Sequence, residues 1–174
     1  MIRRISLLIA RGCVAALVLV PVGAVYFLWD IDSFATVVKE RSLGLPILWH
    51  TVASWQWYVV WLVSTLYLSI GLAGLYFLRR AFAKFAVGEL FNLANSRDLR
   101  RFAVLLFIQA LAQPFHFALS SVLLSVNHPA GEKMISFSLG SDELSSIGIA
   151  LILWVMSDLL VEGSKLQTEN QQFV

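Results

Sequence analysis

Four polar side chains, Gln109, Gln113, His116 and Ser120, recur at spacings of four, three and four residues inside an otherwise apolar stretch. At helical periodicity that spacing puts all four on one face. An imidazole among carboxamides and a hydroxyl has the chemistry to relay a proton, line a polar cavity or hold a small ligand. The same face also suits packing, through interhelical hydrogen bonds worth about 0.6–2 kcal/mol each. Packing is the simpler expectation, because no acidic or basic partner is placed by the sequence at mid-bilayer depth.

Asp158 is the other polar residue inside an apolar stretch, about one turn before its end. Arg79, Arg80, Arg100, Arg101 and Gln109 are the partners within reach, so a clasp by ion pair or hydrogen bond at the rim is expected. Catalysis by Asp158 would need a second carboxylate, a histidine or a metal, and His116 is expected more than two turns away in depth. The chain has no GxSxG, no HExxH, no glycine-rich phosphate loop and no carboxylate pair inside an apolar stretch. Its one cysteine, Cys13, and three scattered histidines make neither a disulfide framework nor a cysteine-rich zinc site. No enzyme, no cofactor and no metal is expected.

The elements that carry these residues follow from composition. Of 174 residues, 59% are hydrophobic and 14% charged, against about 45–50% and 25% in soluble domains. That excludes a water-soluble globule and intrinsic disorder. Charge-free gaps run from Gly12 to Trp29, Ser42 to Leu78 and Phe102 to Gly131, and Leu144 to Val161 is interrupted only by Asp158. Each reaches the length of about 18 residues needed for a spanning helix. The expected fold is an all-α membrane protein, a single domain over 1–174. It is a four-transmembrane-helix bundle with spans near 8–29, 57–78, 102–124 and 144–161. A β-barrel is excluded, since runs such as VAALVLV are apolar on every face. Trp49, Trp55, Trp57, Tyr58 and Trp61 gather at the start of the second span, as an interfacial aromatic belt would.

Orientation follows from Lys and Arg placement. Arg3, Arg4, Arg11, Arg79, Arg80, Lys84, Arg97, Arg100, Arg101 and Lys165 fall on one side of four spans, and Lys39, Arg41 and Lys133 on the other. Both termini are therefore expected in the cytoplasm. A cleavable signal ending near Val22-Gly23-Ala24 is the competing reading, but apolar residues continue through Trp29. Between the spans, Ile135, Phe137 and Leu139 alternate with Ser136 and Ser138, which predicts either a short strand at the membrane surface or a plain loop. Residues 79–101 predict either an interfacial helix or a second span that runs on past the bilayer. Asn95 or Ser96 is expected to cap the third span, with Asp98 in its first turn.

Two strings on the basic side carry a family resemblance. Gly88 and Phe91, then Asn95, lead to Leu99-Arg100-Arg101. After the fourth span come Glu162-Gly163, Leu166-Gln167, Glu169-Asn170 and a final Val174. Together they resemble the bacterial family called Domain of Unknown Function 2975, over essentially the whole chain. The resemblance implies an inner-membrane protein with no known enzymatic chemistry. It also implies a link to small helix-turn-helix regulators, whose genes often adjoin those of members. The expected function is thus regulatory or scaffolding, with the two strings forming one surface for a cytoplasmic protein partner such as a transcription factor. Arg97, Arg100 and Arg101 are expected to face Glu162 and Glu169 across it. Direct nucleic-acid binding is not expected, whereas the lipid bilayer is a necessary partner and a homo-oligomer a further one. The rival expectation is a small transporter, channel or ligand sensor using the polar face of the third span.

Overall fold

Each long apolar stretch is helical. The computed structural model describes residues 2–41, 45–88 and 93–172, with side chains except at residue 2 and residues 166–172. Five α-helices follow in order: α1 (Ile2–Trp29), α2 (Ile31–Arg41), α3 (Ser54–Ala86), α4 (Leu93–Ser125) and α5 (Ser141–Gln172). Four segments of these, Arg3–Trp29, Ser54–Ala86, Leu93–Ser125 and Ser141–Lys165, are long and apolar enough to cross a membrane. α3 and α4, at 33 residues each, extend about 50 Å, well beyond a hydrocarbon core of about 30 Å.

The helices are laid out as a row. α1 packs on α3, α3 on α4 and α4 on α5, and among the described residues no Cα of α1 comes within 8 Å of α5. The seams are built from small side chains, with Ala81 and Ala103 fully buried and Ala10, Ala86, Ala110, Ala118 and Ala150 close to it. Small residues let helix axes approach where lipid offers no hydrophobic driving force. Large apolar residues point the other way: Leu8, Leu66, Phe115 and Ile152 are more than 60% exposed. This inverted pattern is that of a protein solvated by hydrocarbon.

Among the described residues, a conventional apolar core forms at one end of the bundle. There Phe34 and Ala35 of α2 and Ile47 of the following loop pack on Trp57, Val60 and Leu124. Gln56, fully buried, ties this cap together. Its carbonyl accepts from the Ala53 N–H at 2.6 Å and from Asn127 at 2.8 Å, and its amide donates to the Leu123 carbonyl at 2.6 Å. The buried His128 ring accepts from the Leu48 N–H at 3.2 Å. The aromatic cluster divides accordingly. Trp55 and Tyr58 are exposed, whereas Trp57 stacks on Trp49 inside the cap and Trp61 donates its indole N–H to the Ala24 carbonyl on α1. The start of α1 lies at the opposite, basic end, where Arg3 and Arg11 share a groove with Arg79.

Two local alternatives are resolved and one expectation is corrected. First, α3 runs on through Ala86, so residues 79–86 continue the second span and form no separate interfacial helix. Second, α4 already begins at Leu93, which places Asn95 and Ser96 inside the helix and buried. Ser96 donates to the Ser157 carbonyl of α5 at 2.8 Å and caps nothing. Third, no strand forms among the described residues. Ile135, Phe137 and Leu139 do alternate outward, each above 60% exposed, but the extended segment has no partner strand. Its backbone is satisfied by α4 hydroxyls: the Met134 N–H donates to Ser125 Oγ at 3.1 Å and the Ser136 N–H to Ser121 Oγ at 2.9 Å. Phe137 then meets Phe115 edge-on at 6.5 Å.

That segment changes the fourth span. It descends along α4 from the level of Ser125 past Ser121 and Phe115, so α5 opens beside the middle of α4. The connection to the fourth span is therefore extended chain laid along α4, and the span itself is the helix Ser141–Lys165.

Candidate functional site

Gln109 stands midway between the ends of α4, and the structure brings α5's first turn to it. A cavity of about 310 Å³ is lined by Tyr67 of α3, by Gln109, Ala110 and Gln113 of α4, and by Asp142, Glu143 and Ser146 of α5. Two acids thus stand beside the middle of α4, Glu143 half-buried and Asp142 exposed. The sequence had put both acids at the outer surface, on the assumption that the connection stays outside the bilayer.

Each wall has a local cause. Gly71 makes room for Gln109, because a Cβ there would lie 2.7 Å from Gln109 Oε1. Pro114 has no N–H, so the Ala110 carbonyl in the wall loses its ordinary i+4 donor. Glu143 folds back to accept from the Gly140 N–H at 2.7 Å, which uses one carboxylate oxygen to close the helix N-terminus. His116 stacks on Tyr67 with centroids 4.7 Å apart, and its Nε2 is 3.1 Å from Ser64 Oγ. Ser120 Oγ, one turn further, is buried with no hydrogen-bond partner among the described residues. Gln109 and Gln113 thus line the cavity, whereas His116 packs against Ser64 and Tyr67 of α3 beside it. Carboxylates, amide oxygens, hydroxyls and a carbonyl make the lining rich in acceptors, with the Tyr67 ring and Leu106 as its apolar part. Such a lining suits a small cation or protonated amine.

Tyr67, Ser64, Asp142, Glu143 and Ser146 were missed from sequence. Ser64 and Tyr67 sit three apart on an apolar span and could have been matched to His116 by depth. Among the described residues, no three of His, Cys, Asp and Glu converge as metal ligands.

At the basic end the clasp belongs to a different aspartate. Asp98, 2% exposed, holds Lys84 Nζ at 3.2 Å and Arg80 Nε at 3.4 Å, which binds α4 to α3. Asp158 is exposed and forms no ion pair among the described residues. Asn95 and Leu99 are buried in the seams. Gly88 ends α3 with φ +94°, a conformation that favours glycine. Arg100 lies over the Trp154 ring of α5 and Arg101 over the Phe77 ring of α3, each at 5.1 Å. Glu162 pairs with Lys165 on its own helix at 3.1 Å, so Arg101 and Glu162 each have another partner. Gly163 is half-buried. Phe91 lies outside the described residues, as do the side chains of Leu166, Gln167, Glu169 and Asn170.

Four helices long and apolar enough to cross a membrane, laid in a row that exposes large apolar side chains, define a multi-pass helical membrane protein. The family model described as Protein of unknown function (DUF2975) matches residues 13–174, and the chain belongs to that family. No curated protein and no solved structure matches it.

Proposed function

We propose that this protein is a ligand-responsive regulator in the bacterial inner membrane, with both termini in the cytoplasm and no enzymatic activity. The cavity takes a small cation or protonated amine, and the cytoplasmic end engages a protein partner such as a helix-turn-helix transcription factor. The observation that carries this reading is that one helix, α5, supplies the acids of the cavity at one end and the cytoplasmic tail at the other. It is locked to α4 between them by the Ser96–Ser157 hydrogen bond and the Arg100–Trp154 stack. A ligand that draws Glu143 off the Gly140 N–H would shift α5 against that lock. The basic-residue count supports the orientation, and the family resemblance supports a regulator as partner.

The test uses the full chain in nanodiscs, titrated with alkali cations and with small primary and quaternary amines while thermal unfolding is followed. One compound class should stabilise the wild type, and Glu143→Gln should remove that effect. Cross-linking from the tail to the partner regulator should then change with the same compound. A flat response to every compound would sink the ligand reading, and a compound-insensitive cross-link would sink the coupling.

A second reading is a small transporter. The extended segment that brings the first turn of α5 beside the middle of α4 favours it, because carriers present helix ends to solutes between their spans. Flux of the stabilising compound in proteoliposomes would decide for it.

A further inference from the structure

At the basic end, on α3 and α4, lies a groove of about 510 Å³ that neither the cavity nor the Asp98 clasp uses. Phe77, Val104 and Leu105 form its apolar wall and Arg97, Arg100 and Arg101 its rim. Two of the three guanidiniums are laid flat on aromatic rings, Arg101 on Phe77 and Arg100 on Trp154. Stacking orients a guanidinium while leaving its N–H edge free to bond an anion. All three arginines are exposed. The ion pairs among the described residues involve Arg80, Lys84 and Lys165, so none of the three has a carboxylate neighbour there.

We propose that this groove is a binding site for an anionic phospholipid. The phosphate sits among Arg97, Arg100 and Arg101, and an acyl chain runs along Phe77, Val104 and Leu105. Charge complementarity selects an anionic headgroup over a zwitterionic one. The wall selects a lipid over a free phosphate: Val104 and Leu105 lie one helical turn beyond Arg101, inside the apolar stretch of α4, where only hydrocarbon reaches. An acidic peptide would leave its backbone unsatisfied at that depth. The site is independent of the ligand cavity and of the direction in which the chain spans.

The test places the full chain in phosphatidylcholine nanodiscs doped with graded phosphatidylglycerol and counts retained lipid by native mass spectrometry. Wild type should retain phosphatidylglycerol selectively. Each guanidinium near an anionic headgroup is worth about fivefold in affinity, so Arg97→Gln should cost about fivefold and Arg97→Gln/Arg101→Gln about 25-fold. Arg79→Gln, which removes an exposed charge at the same end but outside the groove and the clasp, should leave the selectivity unchanged. Should the double variant fail to fold in pure phosphatidylcholine, Arg97→Gln alone carries the test, since Arg97 stacks on no ring among the described residues. Equal retention by Arg97→Gln and wild type, or equal loss in Arg79→Gln, overturns the proposal. Displacement of the lipid by acyl-free glycerol phosphate at matched concentration also overturns it, by making the groove a plain phosphate site.

Discussion

Asp98 carries the basic end because its carboxylate is buried while both of its cationic partners come from another helix. Asp98→Asn keeps the shape and removes the charge, leaving Lys84 and Arg80 unpaired. Their side chains are 27% and 43% exposed, so both can turn to water. The loss should therefore be about 2 kcal/mol, below the roughly 3–5 kcal/mol of a wholly enclosed pair. Lys84→Met leaves Arg80 on the carboxylate and should cost about 1 kcal/mol. Denaturant unfolding in detergent reads both, and a wild-type midpoint for Asp98→Asn would refute the clasp. Gly71 gives a different kind of residue-scale prediction. A Cβ there meets Gln109 Oε1 at 2.7 Å, but that atom ends a flexible side chain and can swing aside. Gly71→Ala should alter stability by about 1 kcal/mol or less, because helix propensity offsets the contact, while any ligand-induced stabilisation through the cavity is lost. Gly74→Ala meets the Phe102 ring at 3.3 Å, which swings less freely, and should lower the thermal midpoint more than Gly71→Ala does.

The extended segment before α5 is the element on which the cavity depends, since it sets the depth at which Asp142 and Glu143 enter. Its N–H groups at Met134 and Ser136 bond only to the hydroxyls of Ser125 and Ser121. Ser121→Ala/Ser125→Ala leaves two backbone donors without acceptors at a depth where water is scarce, at about 1–3 kcal/mol each. Hydrogen exchange at residues 134 and 136 should rise in that variant, with protection in the body of α4 unchanged. Unaltered exchange at both amides would mean that the hydroxyls do not hold the segment. Asp30 is a smaller instance, at the start of α2. Its carboxyl is held below the usual carboxylate range by the Ser33 hydroxyl at 2.6 Å and then the Ser33 N–H at 3.3 Å. A lowered carboxyl contributes at neutral pH and loses its contribution as pH falls through its folded-state value. Protection of α2 amides should therefore fall on acidification in wild type and be flat across that range in Asp30→Asn. These elements mark what the sequence could and could not say. Hydropathy and charge gaps located four spans, and the period of Gln109, Gln113, His116 and Ser120 identified an inward face, because both are local properties of one helix. The entry level of α5 is not local: it is set by two serines on another helix, and alternation at 135–139 looks the same whether the segment lies on the membrane or descends along α4. The clasp was misassigned for a similar reason. Asp158 and Asp98 are both acids near a span end, and only the packing of α3 on α4 distinguishes the enclosed one.

At the scale of the molecule, the row of helices exposes large apolar side chains on nearly every side, so the bilayer supplies the solvent that a closed core supplies elsewhere. Alkylation from the lipid phase should label single cysteines at Leu8, Leu66 and Ile152, all more than 60% exposed, and spare those at Gln109 and His116. The direction of crossing rests on separate physics. The start of α1 and the last turns of α5 are at the end of the bundle that carries Arg3, Arg11, Arg79, Arg100 and Arg101, while α2 and the connection around His128 form the opposite cap. Ten basic residues near one set of span ends against three at the other predict that this end is the cytoplasmic one, because translocating arginine and lysine opposes the membrane potential and desolvates charge. A reporter active only outside the inner membrane should be silent when fused after Val174 and active when inserted at Glu132. An active fusion at Val174 with a silent insertion at Glu132 would invert the protein and expose the basic end to the periplasm. It would also leave a cytoplasmic transcription factor with nothing to bind but the α2 cap, whose large apolar side chains are already buried against one another. The partner proposal would fall with the orientation, whereas the cavity at mid-depth and the arginine groove would stand unchanged.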